Sequence, residues 1–237
     1  MSAVAAARNL TERLRAVGDE RYHDKHPFHQ RLVAGDLSPG QVRSWVANRY
    51  YYQKSIPHKD AFVLANLPSR EFRRAWITRI ADHDGTVGAG GGGTESWLAL
   101  ARACGLSDEE TLSERGVAAG TRFAVDAYVN FAQTRPWLEA VASSLTELFG
   151  PPVMARRIEA IVANYPWIDR AGLAYFDRRL TQAPQDAAQA LAWVVEHART
   201  AEEQDRCVAA LCFKCDVLWS ILDATALSCG VFGVIGA

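Results

Sequence analysis

The chain has almost no net charge: 26 lysines and arginines face 27 aspartates and glutamates, a formal balance of -1. That excludes the bulk positive field with which proteins track nucleic acid or an anionic membrane. An anionic ligand would have to be held by a local cluster of cations. Long hydrophobic runs are missing as well, and nothing approaches the length of a membrane span. The N-terminal MSAVAAARNLTERLR turns charged too early to serve as a signal-peptide core. The apolar tail from Ser228 to Ala237 is too short to cross a bilayer. Cysteines are few and odd in number (Cys104, Cys207, Cys212, Cys215 and Cys229), all in apolar contexts. They read as reduced thiols of a cytoplasmic protein. Sustained two-residue alternation of strand type is absent too.

Helix signals fill the space those absences leave. Ser38-Pro39-Gly40-Gln41 sets a capping serine before a proline at the first helical position, with a glutamine to complete the box. Ser107 to Glu110 and Thr200 to Glu203 are further capping boxes. After Gln41, apolar Val42, Trp45, Val46 and Tyr50 recur at three- and four-residue steps. The pattern predicts helices near residues 3–18, 39–65, 68–84, 94–104, 107–113, 117–133, 135–149, 151–164, 169–182, 185–198 and 201–228. No repeat or long linker divides the 237 residues, so the expectation is one compact all-α helical bundle spanning 1–237.

Three short motifs have simpler readings than the chemistry they hint at. Gly88 to Gly93 matches G-x-G-x-x-G, but a helical pattern precedes it where a dinucleotide site needs a strand. A flexible loop is the simpler reading. Cys212-Phe213-Lys214-Cys215 falls mid-helix with no second pair, which favours small core residues over redox or zinc chemistry. His23, His26 and His29 recur every three residues, and Glu20 with His23 forms a Glu-x-x-His. A di-iron carboxylate bundle needs a second such element, and there is none. No metal site is expected.

Other polar residues fall where a plain core would not put them. In NRYYYQKSIPHKD (Asn48 to Asp60), Arg49 and Gln53 share a helix face with tyrosines, as a pocket wall would. Arg79 and His83 are one turn apart, and so are Tyr175 and Arg179. His83 closes its helix, where the dipole favours the imidazolium, so it is expected to exchange a proton near neutral pH. Tyr128 and Glu147 interrupt the apolar helices RFAVDAYVNFA and SSLTELF. Lys214 rises from an apolar stripe of Leu211, Val217, Leu218 and Ile221, either to snorkel outward or to enter a pocket. Together these residues would hold a small, flat, multiply anionic ligand, because guanidinium forks bind carboxylates and rings supply flat walls.

The runs YHDKHPFH, WVANRYYYQKSIPHKDA, RIADHDG, RFAVDAYVNFA, SSLTELF, NYPWI, AYFDRRL and FKCDVLWSILDA resemble the pyrroloquinoline-quinone (PQQ) synthases over roughly residues 12–226. That resemblance implies a heme-oxygenase-like bundle without heme, acting as a homodimer. It also implies ring closure and eight-electron oxidation of a bicyclic polycarboxylate quinone precursor to PQQ, with O2 as co-substrate, H2O2 as product and no metal or flavin cofactor. A small PQQ-carrier protein is an implied partner. Carried over onto this chain, Arg49, Gln53 and Lys59 bind the ligand, Tyr22 and His23 stand at the pocket mouth, and Arg79 contacts the ligand beside a catalytic His83. Tyr128, Thr146 and Glu147 are wall contacts, Tyr175 and Arg179 flank the oxygen site, and Lys214 touches the ligand. The chain departs from the family at Met154, where some members have histidine. It departs again in GTVGAGGGG, which is usually more acidic, and in its C-terminal tail. The rival readings are a di-iron oxygenase or thiaminase-like hydrolase on the same bundle, and a quinone-binding protein without turnover.

Overall fold

Helix boundaries follow capping chemistry that the sequence carries locally. The Ser38 hydroxyl accepts from the Gln41 N–H at 3.3 Å, and the Gln41 side chain accepts from the Ser38 N–H at 2.9 Å. A complete capping box thus opens α3 (Pro39–Asn66). Boxes at Ser107 and Thr200 open α6 (Asp108–Leu112) and α11 (Ala201–Ser228) in the same way.

The computed structural model describes residues 3–88 and 90–232. The expectation of an altered tail falls partly on residues 233–237, which lie outside the described residues. The remaining helices are α1 (Ala3–Arg21), α2 (Pro27–Ala34), α4 (Arg70–Asp84), α5 (Gly93–Ala103), α7 (Ala119–Thr134), α8 (Trp137–Ser143), α9 (Gly150–Asn164) and α10 (Ala174–His197). 3₁₀ turns occupy His23–Lys25, Ser144–Phe149 and Arg170–Leu173. Among the described residues, β pairing is limited to an isolated bridge between Thr86 and Gly90. The all-α expectation holds.

Three boundaries differ from the sequence reading. α2 is an unforeseen helix: the His26 ring accepts from the Phe28 N–H at 3.0 Å, Pro27 occupies the first turn, and Gly35 closes the helix at φ 84°. The expected helix 135–149 is α8 followed by the 3₁₀ turn, so Ser144–Phe149 is not α-helical. The two helices expected on either side of Pro184 are the single helix α10. Pro184 is exposed, and the buried face from Tyr175 through Ala183 and Ala187 to Val194 passes it unbroken. Tertiary packing of that face overrides the local cost of proline.

Buried apolar side chains form two clusters. One gathers α1, the second half of α3, α7, α8 and α11 around Trp76, Val125 and Leu211. The other gathers α2, the first half of α3, α5 and the start of α10 around Trp45, Trp97 and Phe176. α3 is buried on nearly all sides and serves both clusters. A cavity lies on the seam, drawing Tyr22, Tyr52 and Tyr128 from the first cluster and Tyr175 and Met154 from the second.

Candidate active site

The floor of the cavity is α3. Arg49, Tyr52, Gln53, Ile56 and Lys59 line it, spaced by three and four residues along one side of the helix. Across from them stand His83 of α4, Tyr128 of α7, Thr146 and Glu147 of the 3₁₀ turn, Tyr175 and Arg179 of α10, and Lys214 of α11. The cavity volume is about 60 Å³, and the cavity is partly open to solvent.

Lys214 enters the pocket and does not snorkel. It is 1% exposed, its Nζ donates to the Tyr52 hydroxyl at 2.7 Å, and it sits 3.5 Å from the centre of the Tyr128 ring. Tyr52 and Tyr128 stack 6.5 Å apart, 11° from parallel, and the Arg49 guanidinium lies 4.2 Å above Tyr52. These are flat walls carrying cations. Burial, then the nearby Arg49, holds the Lys214 pKa well below the usual lysine range.

Lys59 is anchored differently. Its Nζ lies 2.5 Å from Asp60 and 3.1 Å from the Ser144 hydroxyl, while Trp76 Nε1 donates to Asp60 at 3.0 Å. Burial opposes the charge on Lys59, but Asp60 and Tyr128 together outweigh it, so its pKa is raised. Glu147 bridges Arg79 at 2.8 Å and Arg179 at 2.9 Å, and Arg179 also reaches Asp186 at 3.4 Å. Burial works against the Glu147 carboxylate, yet the two arginines pull its pKa below the usual value.

His83 Nδ1 is 3.2 Å from the Arg79 carbonyl, which can only accept, so Nδ1 carries the hydrogen and Nε2 the lone pair. The expected proton exchange near neutral pH is displaced to more acidic conditions. Burial first, and the Arg179 charge second, lower the His83 pKa to about 4. The helix-end dipole is the weaker influence. Tyr175 donates to Gln53 Oε1 at 3.0 Å, which fixes the phenol against the floor.

The glycine run packs tightly at its end, unlike a flexible linker. A Cβ at Gly92 would stand 2.5 Å from the His83 carbonyl, and one at Gly93 would meet the Tyr175 ring at 3.4 Å and the His83 ring at 3.5 Å. Glycine lets α5 begin directly against these two side chains.

A profile of the TENA/THI-4/PQQC family matches residues 11–224. The chain belongs to this family. Over 221 residues it is 56% identical to the pyrroloquinoline-quinone synthase of Rhizobium rhizogenes, covering 93% of this chain and 89% of that one. Over 215 residues it is 55% identical to the protein of the same name from Granulibacter bethesdensis, covering 91% and 84%. A Shewanella denitrificans domain with a heme oxygenase-like fold superposes with a TM-score of 0.74 at 14% identity, covering 98% of this chain and 95% of that one. The bundle is therefore heme-oxygenase-like.

Of the residues this family resemblance singled out, Tyr22, Arg49, Gln53, Lys59, His83, Tyr128, Thr146, Glu147, Tyr175, Arg179 and Lys214 share the cavity wall. His23 and Arg79 stand one layer behind it. His23 packs against Tyr22 with ring centres 4.3 Å apart, and Arg79 backs Glu147. Sequence reasoning missed Asp60, which anchors Lys59, and Arg157, whose NH2 lies 3.1 Å from His29 Nδ1 and 3.4 Å from His23 Nε2. A buried arginine on an apolar helix face was the signal available for Arg157; Asp60 looked like one charge in a polar run. The spaced histidines find structural partners: His23 and His29 meet Arg157, and His26 caps α2 and reaches Asp223 at 3.0 Å. Glu20 is exposed, away from buried His23. Among the described residues, no three His, Cys, Asp or Glu side chains are grouped to hold a metal ion, and all five cysteines are free thiols.

Proposed function

We propose that this chain is a pyrroloquinoline-quinone synthase: an oxidoreductase that closes a ring in a bicyclic polycarboxylate quinone precursor and removes eight electrons from it. O2 is the acceptor, H2O2 is released, and the protein's own side chains supply the catalysis. One observation carries the reading, in a chain more than half identical to proteins of that name. The groups in and directly behind the wall include six cationic side chains (Arg49, Lys59, Arg79, Arg157, Arg179, Lys214) and three acidic ones (Asp60, Glu147, Asp186). With Lys214 left out because its pKa is lowered, five less three leaves an excess of two positive charges facing stacked aromatic walls, and the Lys214 amine can take on a third when an anion binds. A flat ligand bearing several carboxylates balances that excess.

In this reading Arg49 and Lys214 take carboxylates. Neutral His83 accepts a proton at Nε2 from the bound precursor, raising electron density in its rings so that O2 can take electrons in pairs. Tyr175, oriented by Gln53, and Arg179 stabilise the reduced oxygen. Ligand charge would also restore the proton on Lys214. His23 acts through Tyr22, holding the mouth of the site.

The test is oxygen uptake by chelator-treated protein mixed with the bicyclic precursor, with product absorbance recorded alongside. Oxygen loss with PQQ appearing supports the synthase. Tight binding without oxygen loss, unchanged when iron is restored, would leave a quinone-binding protein in its place.

A further inference from the structure

Methionine is rare in this chain, which has only Met1 and Met154. Met154 lies in the first half of α9, and its side chain lines the same cavity as Tyr22, Tyr175 and Arg179. Gly150, one turn earlier, also lines the cavity beside the end of the thioether. A Cβ there would lie 3.5 Å from Met154 Cε and 4.0 Å from the Tyr22 hydroxyl. The methyl end of Met154 thus lies beside another lining residue of the cavity, and the side chain also packs on the cluster around Trp97 and Phe176.

No cysteine lines the cavity. Cys215, next to Lys214 in sequence, is buried, and that burial pushes its thiol up to about 12, where it is not a nucleophile. The Met154 sulfur is therefore the softest nucleophile on the wall. The cavity volume of about 60 Å³ is room for roughly four waters. A small oxidant released inside meets the wall before it reaches bulk solvent.

We infer that Met154 is a modification site written by the reaction itself: hydrogen peroxide formed in the cavity oxidises the thioether to the sulfoxide, and that change slows later turnovers. The inference rests on the synthase reading, which supplies the peroxide. A sulfur lone pair forms an S–O bond to one peroxide oxygen as the O–O bond breaks. Sulfur loses two electrons and the peroxide gains them. The departing hydroxide takes a proton and leaves as water. Arg179, on the same wall, stabilises the charge on the departing oxygen. The product side chain is polar and carries an added oxygen into a confined cavity. It occupies volume the flat ligand needs, and methionine sulfoxide reductases can reverse it.

The experiment is turnover of the intact protein with the bicyclic precursor and oxygen, catalase being present throughout. Oxygen uptake is recorded and both methionines are then mapped by peptide mass spectrometry. Met154 is expected to gain the mass of one oxygen atom in step with turnover number. Met1, and Met154 in a sample lacking precursor, should keep their native mass. Met154→Leu should sustain its own initial rate for several-fold more turnovers than wild type. Oxygen uptake and product with Met154 still at native mass would overturn the inference and leave the synthase reading standing. Equal oxidation without precursor would also overturn it, and so would identical rate decay in Met154→Leu. No oxygen uptake at all would sink both readings together.

Discussion

Two ends of one cavity handle their cations differently. Toward α4, Lys59, Arg79 and Arg179 each lie within ion-pair distance of Asp60, Glu147 or Asp186. Toward α1 and α11, Arg49, Arg157 and Lys214 face tyrosines and histidines, and among the described residues none has a carboxylate in ion-pair distance. The first end is complete without ligand. The second, in the proposed reading, gains negative charge when an anionic ligand binds. Charge balance thus separates cations paired within the fold from those that, in the proposed reading, await a ligand.

Breaking the paired end should have the largest effect. Asp60→Asn strands Lys59 in a dry site and removes the charged acceptor of Trp76. An uncompensated buried charge of this kind costs about 3–5 kcal/mol, measurable by urea denaturation at neutral pH. Unchanged stability would mean that Ser144 alone satisfies Lys59.

Acid should come next. The folded pKa of His83, about 4, lies below its ordinary 6.5, so the unfolded chain binds the proton first. The stability this group contributes is fully present above pH 6.5 and is lost as pH falls from 6.5 toward 4. At about 1.4 kcal/mol per unit, that is roughly 3 kcal/mol. His83→Asn should flatten the fall in urea midpoint by that order. His23 and His29 carry the same sign and will keep part of the slope.

The unpaired end should respond in the opposite sense. Lys214→Met removes a buried amine that has no acidic partner, so thermal stability should hold or rise. Binding of the polycarboxylate quinone of the proposed reaction should weaken roughly ten- to hundredfold, the worth of a charged hydrogen bond. Titration calorimetry alongside a thermal melt would show whether the two effects separate. A stability loss equal to that of Asp60→Asn would erase the distinction between the ends.

The smallest effect is also the sharpest. An anionic ligand should raise the pKa of both Lys214 and His83, so binding near pH 7 should take up protons. Calorimetry in buffers of different ionisation enthalpy measures that uptake directly. It should shrink in Lys214→Met and persist in Asp60→Asn.

Much of the fold was legible because its signals are local. The capping boxes at Ser38, Ser107 and Thr200 each need only neighbouring residues, and each forms as the sequence implies. α2 had its own local signals in Pro27 and Gly35, which the sequence reading passed over. The wall residues of α3 were legible for a similar reason, since Arg49 and Gln53 stand one turn apart wherever the helix goes. Pro184 misled because its cost is local, whereas the face that outweighs it is assembled from other helices.

The residue types, the helix starts and the supply of cations and tyrosines were determined by the sequence alone, through chemistry that acts within a turn or two of helix. Which cations are paired, which tautomer His83 holds, and whether Lys214 faces water or the pocket were decided only by the tertiary structure. Those properties depend on burial and on partners distant in the chain. Asp60 meets Trp76, Glu147 meets Arg79 and Arg179, and Lys214 meets Tyr52 only after the helices have packed.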